Sequence, residues 1–212
     1  MADSFHPPTS SSAGSTPTNL GSVSDNAAAL TAFNDATRLH AQFATQANAD
    51  ATAHIAAKMI YSLRAGNKLL ACGNGGSLCD AAHFVEELTG RFRNDRAPIA
   101  AIACTDPGHI TCTANDYGFD HVFSRWVTAL ARPGDCLLLL STSGNSANII
   151  AAAHAAKAIG CPVFGLAGKG GGALAPLCNV CVICPGATAD RIQELHKLVL
   201  HTLVELIEAG LA

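Results

Sequence analysis

His83 and Glu87 stand four residues apart in HFVEELTGRF, a spacing that sets an imidazole and a carboxylate on one face of a helix. Such a pair suits a metal ion or a proton relay, and a structural pair on a solvated face would show the same spacing. A second polar group interrupts the apolar segment ADRIQELHKLVLHTLVELIE, where Asp190, Gln193, Glu194, His196 and His201 need partners if they are buried. Gln193, Lys197 and His201 share one helical face there. The third feature is LLLLSTSGNS, Leu137 to Ser146, an apolar run that stops at a turn rich in hydroxyls and then continues into an alanine-rich stretch. It reads as strand, loop and helix. A helix start leaves N–H groups unpaired and carries partial positive charge, and Ser141, Thr142, Ser143 and Ser146 add hydroxyls at the same point, so the natural guest is a phosphate. Ser, Thr, Asn and Gly are also what any helix start prefers, so this loop needs support from the rest of the chain.

The elements that must carry these groups follow from periodicity. Five short apolar runs, 68–72, 98–104, 135–141, 161–167 and 179–184, alternate with helical stretches and are apolar on both faces. That pattern predicts an α/β fold, a doubly wound five-stranded parallel sheet flanked by helices, with ligands at the carboxyl ends of the strands. The segment after the first strand, GNGGSLCD from Gly73 to Asp80, is a second glycine-rich turn opening a helix, so two loops face one crevice. It lacks the third glycine of a dinucleotide fingerprint, which counts against a nicotinamide or flavin site. Two further helices are expected before the sheet, over 26–46 with Leu30, Phe33 and Phe43, and over 50–63 with Ile55, Met59 and Ile60. Residues 1–25, rich in Ser, Thr, Pro and Gly, are expected to form a disordered arm, leaving 26–212 as a single domain that includes the N-terminal helices.

At 212 residues, with 49% hydrophobic and 14% charged residues, the chain can build a sizeable core, and its sparse charge favours burying helix faces between subunits. A net charge of -3 leaves no electrostatic footprint for nucleic acid, and no apolar run is long enough to span a membrane, so a cytoplasmic protein is expected. The 9 cysteines are odd in number and scattered, which reads as reduced, buried thiols. Cys178, Cys181 and Cys184 have a spacing that could ligate zinc or an iron–sulfur cluster. In a strand, however, residues three apart face opposite ways, which favours structural thiols.

Five motifs in order, CGNGGS at 72–77, HFVEELTGRF at 83–92, ANDYGFDHVFSRWV at 114–127, STSGNSAN at 141–148 and ADRIQELHKLVLH at 189–201, make the chain resemble the phosphoheptose isomerases of the sugar-isomerase (SIS) fold from about residue 26 to the end. The resemblance implies conversion of sedoheptulose 7-phosphate to D-glycero-D-manno-heptose 7-phosphate, toward the heptose of bacterial lipopolysaccharide or related surface polysaccharides. It implies that Ser77, Ser141, Ser143, Ser146 and the backbone at Thr142 hold phosphate. Asn74, Gly75, Gly76, Arg91, Asn115, Asp116, Asp190 and Gln193 would line the sugar together with Glu87. Glu87 and His201 would be the acid/base pair. In zinc-binding members His83, Glu87, Gln193 and His201 would ligate one zinc per subunit, in a homotetramer with its sites at subunit interfaces.

These residue types suit the chemistry. Ketose–aldose exchange moves a proton between adjacent carbons through an enediol, which requires a base at carbon and an acid at oxygen, and a Lewis acid can stabilise the developing oxyanion. Gln193 and His201 are eight residues apart, about 12 Å along a helix at ~1.5 Å per residue, which is too far for one ion. The site is therefore expected to be completed by a neighbouring subunit. Two alternatives share the fold: a non-catalytic binding protein of the DnaA initiator-associating type, which has no need of His83, Glu87, Gln193 and His201 together, and an isomerase of shorter sugar phosphates.

Overall fold

Leu137 and Leu139 point to one face of a strand and Leu138 and Leu140 to the other, and all four are fully buried, so the strand must be covered on both sides. In the computed structural model, which describes residues 23–212, that strand is the centre of a five-stranded sheet. The elements run α1 (Val23–Phe43), α2 (Gln46–Arg64), β1 (Leu69–Gly73), α3 (Gly76–Thr89), β2 (Ala101–Ala103), α4 (Pro107–Tyr117) and α5 (Val122–Leu130). They continue through β3 (Cys136–Ser141), α6 (Ala147–Ile159), β4 (Val163–Gly168), β5 (Val180–Cys184) and α7 (Ala189–Leu211). All strand pairs are parallel, in the order β2-β1-β3-β4-β5. The arm expected over residues 1–25 lies outside the described residues as far as residue 22, and α1 already begins at Val23. The part of α1 up to Asp35 forms one unit and Ala36–Ala212 a second.

Within the larger unit two cores line the sheet. Leu69, Ala71, Leu138, Leu140, Phe164 and Leu166 meet Ile55 and Met59 of α2, Phe84 and Leu88 of α3 and the Leu195–Ile207 stripe of α7. Leu70, Cys72, Leu137, Leu139 and Val163 meet Phe123, Trp126 and Val127 of α5 and Ile149, Ala152 and Ala156 of α6. Each buried Leu or Phe contributes about 1.5–3 kcal/mol, so α3 and α7 are fixed to one face by apolar rows beneath their polar ones. No helix among the described residues is long and apolar enough to cross a membrane.

Two expectations are corrected. The second strand, expected over 98–104, is only Ala101–Ala103: Pro98 has no N–H to give to a ladder, and the Ile99 N–H bonds to the Leu88 carbonyl instead of to a strand. Cys178 lies outside β5, after the 3-10 turn Ala175–Leu177, so strand alternation does not apply to it. A Cβ placed on Gly165 would stand 2.7 Å from Cys178 Sγ and 2.8 Å from Cys181 Sγ, so these two sulfurs face the same spot. Cys184 is buried in the α2/α3/α7 core, so the three thiols do not converge. All nine cysteines are free.

Candidate active site

The sheet order reverses between β1 and β3, where ligands bind in folds of this type, and the loops that follow those two strands flank the crevice. The turn after β1 is tight. A Cβ on Gly73 would fall 2.4 Å from the Ser77 carbonyl oxygen, and Gly75, at φ 54, is the residue from which α3 starts without a side-chain cap. The turn after β3 closes on itself: the Gly144 N–H donates to Ser141 Oγ at 3.1 Å, and Ser141 Oγ lies 3.3 Å from Ser146 Oγ. Ser146 occupies the N-cap of α6, yet its hydroxyl caps nothing. The first turn of α6 therefore presents N–H groups without a side-chain acceptor beside Thr142 and Ser143, an arrangement suited to a phosphate dianion, whereas in α3 the Ser77 and Leu78 N–H groups already donate to the Asn74 and Gly75 carbonyls. Asn74 and Asn148 clip the two loops together, each amide donating to the other's oxygen at 2.8 and 2.9 Å.

The ionisable residues sit elsewhere, along the seam between α3 and α7. The two helices run in the same direction, so contacts recur each turn. Gln193 lies where a Cβ on Gly76 would stand 2.6 Å from its Nε2, Lys197 Nζ is 2.8 Å from Asp80 Oδ1, and His201 meets His83 and Glu87. His83 Nε2 lies 3.0 Å from His201 Nε2 and 3.2 Å from Glu87 Oε1, and all three ligand atoms fall within 4.8 Å of one another. This donor set fits a zinc ion: two imidazole nitrogens and a carboxylate oxygen converge, and the two separations from His83 Nε2 are close to the roughly 3.3 Å edge of a tetrahedron with bonds of about 2.0 Å. Burial, the neighbouring His83 and Lys197 push His201 below the ordinary imidazole range, while Glu87 and Glu205 oppose the shift, so its neutral, ligand-competent form is favoured. His196, one residue before Lys197, is buried and pushed down to about 4 by desolvation, against the Ala167 backbone and Asp80.

The seam thus unites His83, Glu87 and His201 in one chain, while Gln193 stands two helical turns away beside Gly76 at the start of α3. Four expected sugar-lining residues do not join either group within this chain. Asn115 and Asp116 are exposed near the end of α4 and bond to each other at 2.8 Å, Arg91 is exposed just past α3, and Asp190 is exposed at the start of α7. The Thr188 side chain and nearby backbone N–H groups hold the Asp190 carboxyl below the usual range. Reading the sequence missed Asn148 and Asp80 as functional groups. The signal at Asn148 was a lone amide in the first turn of an Ala/Ile helix, and it is buried only because Asn74 answers it.

Doubly wound sheet, serine turn and polar helix seam together define a SIS-domain protein, and the SIS domain pattern matches residues 32–168. The phosphoheptose isomerase of Tolumonas auensis is 53% identical over 166 residues, 78% of this chain and 86% of its own length. That of Fusobacterium nucleatum subsp. nucleatum is 50% identical over 157 residues, 74% of this chain and 81% of its own. Among solved structures, phosphoheptose isomerase from Neisseria gonorrhoeae superposes with a TM-score of 0.81 at 39% identity, covering 89% of this chain and 100% of that one. The chain belongs to the phosphoheptose isomerase family of SIS-domain enzymes.

Proposed function

We propose that the protein isomerises sedoheptulose 7-phosphate to D-glycero-D-manno-heptose 7-phosphate. The observation that carries the reading is the convergence of His83, Glu87 and His201 from helices 118 residues apart in sequence. Phosphate binds at Ser77, Ser141, Ser143, Ser146 and the Thr142 backbone, far from the reacting carbons, so its binding energy is used to orient C1 and C2. Glu87 removes a proton from C1 of the ketose and returns it to C2, while His201 protonates the C2 oxygen and later takes the proton from the C1 oxygen, passing through the enediol. His83, Glu87 and His201, with Gln193 as the fourth donor, would also hold zinc, which would supply Lewis-acid stabilisation of charge on the enediol oxygen; an atom of Glu87 or His201 that ligates the ion is not the one that moves a proton.

The two-turn offset of Gln193 from His201 supports a site completed between subunits of a homotetramer, as do Leu198 and Leu206, exposed on α7. A neighbour would also bring in Arg91, Asn115, Asp116 and Asp190. Incubating the purified protein with sedoheptulose 7-phosphate, with chelator and with added zinc, should give aldose; no product under any metal condition overturns the reading. Mixing inactive Gln193→Ala and His201→Ala proteins should restore part of the activity if sites are shared between chains, and no recovery on subunit exchange would place each site within one chain.

A further inference from the structure

Cys178 and Cys181 have no role in the proposed catalysis, yet the structure leaves a space for their sulfurs. Gly165 pairs with Cys181 across β4 and β5, and any side chain there would place its Cβ under 3.0 Å from both thiols, so only glycine lets the two sulfurs share this spot. Both cysteines are half-buried, whereas Cys184 is fully buried. The strand around them is pinned: the Asn179 N–H donates to the Val163 carbonyl at 2.7 Å, and the Val163 N–H donates to Asn179 Oδ1 at 2.8 Å.

This thiol pair is also connected to the serine turn. Cys178 Sγ donates to the Leu174 carbonyl at 3.4 Å, and the Leu174 N–H donates to the Gly144 carbonyl at 2.9 Å. The Ala173 N–H donates to Asn145 Oδ1 at 3.0 Å, and the Gly171 carbonyl lies where a Cβ on Gly144 would be. Residues 171–178 therefore form the backing of the Ser141–Ser146 turn.

We propose that Cys178 and Cys181 are a peroxide-oxidisable dithiol whose disulfide weakens phosphosugar binding by displacing the backing of the Ser141–Ser146 turn. The effect on binding rests on the reading of that turn as the phosphate site. The Cys178 S–H is shared between the Leu174 carbonyl and the Cys181 sulfur, and the hydrogen bond to Cys181 lowers Cys181 and raises Cys178, so Cys181 is the attacking member. The Cys181 thiolate attacks one oxygen of hydrogen peroxide. The O–O bond breaks, the departing hydroxide becomes water, and Cys181 is left as a sulfenic acid. Cys178, having given its proton to solvent, attacks that sulfur. The S–S bond forms, the S–O bond breaks, and a second water leaves. Two thiols lose two electrons and two protons, and the peroxide is reduced to two waters. The disulfide removes the Cys178 S–H donor from Leu174 and draws the 174–178 segment toward β5.

The test uses the full chain carrying Cys79→Ser and Cys112→Ser, which removes the two exposed thiols. After hydrogen peroxide treatment and alkylation in denaturant, peptide mass mapping should show the segment between Lys169 and Arg191 lighter by two hydrogens, with Cys184 alone alkylated. KM for the sugar phosphate should rise at least about threefold with kcat retained, and a dithiol reductant should reverse both changes. Cys178→Ser should abolish the disulfide and the KM response. Free thiols, a bridge to Cys184, or direct passage of Cys181 to sulfinic acid would overturn the dithiol, and a mapped disulfide with unchanged KM would overturn its coupling to the turn. Competition by inorganic phosphate against the reduced protein separates the two readings: absence of competition removes the phosphate site, whereas the mass map reports the disulfide regardless.

Discussion

The serine turn and the α3/α7 seam do their work by opposite means. The turn is built from backbone: glycines admit the tight bends, the hydroxyls bond within the loop, and the helix start, without a side-chain cap, offers fixed partial charge. The seam is built from ionisable side chains held in rows by apolar packing beneath them, with Asp80–Lys197 one turn from His83–Glu87–His201. A backbone site holds a charge that does not change during reaction, while a side-chain site can exchange protons. The sharpest way to test this division is Glu87→Gln, which keeps the shape of the seam and removes its proposed base. Turnover should fall about 10²–10⁴-fold, with KM within about threefold of the parent and thermal unfolding little changed. A fall in phosphate affinity instead would show that the two regions are not separable. His201→Ala should lose activity on the same scale and should also weaken zinc binding in a chelator competition.

The seam should also govern the response to acid. The folded-state value of His196, about 4, lies below the imidazole reference of 6.5, so between those pH values the unfolded chain takes up a proton that the folded chain refuses. Stability is fully present above about pH 6.5 and is lost as pH falls toward 4, by on the order of 3 kcal/mol from this residue, and the depressed His201 adds in the same direction. Denaturant melts at a series of pH values check this, and His196→Phe should flatten the curve. An equally steep curve in that variant would move the acid sensitivity away from the seam.

How much could be read from the sequence follows the same division. The turn was legible because its signals are local: an apolar run, a hydroxyl cluster and a glycine, all within ten residues. The strands were legible for a similar reason, except at the edge, where Pro98 and the diversion of the Ile99 N–H shortened β2. The seam was only half legible. The i, i+4 spacing placed His83 with Glu87, and the helical face placed Lys197 with Gln193 and His201, but which rung of α7 meets which rung of α3 depends on packing 118 residues away. The functional assignment of the triad came from resemblance. Cys178 shows the converse failure, since a sound rule for strands was applied to a residue that precedes the strand.

If the turn is a backbone device, its glycine matters more than its hydroxyls. Gly144 sits at φ 66, and a Cβ there would lie 2.1 Å from the Gly171 carbonyl oxygen. Gly144→Ala should therefore cost about 2 kcal/mol or more and raise KM, with the thermal midpoint and substrate affinity moving together, whereas Ser143→Ala should raise KM with little loss of stability. Equal stability losses in the two variants would contradict a turn held by backbone geometry.

The smallest effect separates the clip between the loops from both regions. Asn74 and Asn148 satisfy each other's amides, so Asn74→Ala leaves the buried Asn148 amide unanswered and should cost about 1–3 kcal/mol, Asn148→Ala leaves only the half-buried Asn74 and should cost less, and removing both partners strands neither. Asn148→Ala and Asn74→Ala together should be less destabilising than the two single changes added, with a coupling of about 1 kcal/mol in denaturant melts. Because Asn74 is also a proposed sugar-lining residue, Asn148→Ala is the cleaner kinetic probe. It should raise KM modestly and leave kcat alone, since it loosens the spacing of the loops after β1 and β3 without touching Glu87 or His201. Strict additivity in the melts would mean that water replaces the missing amide, so that the loops are held apart by the sheet alone.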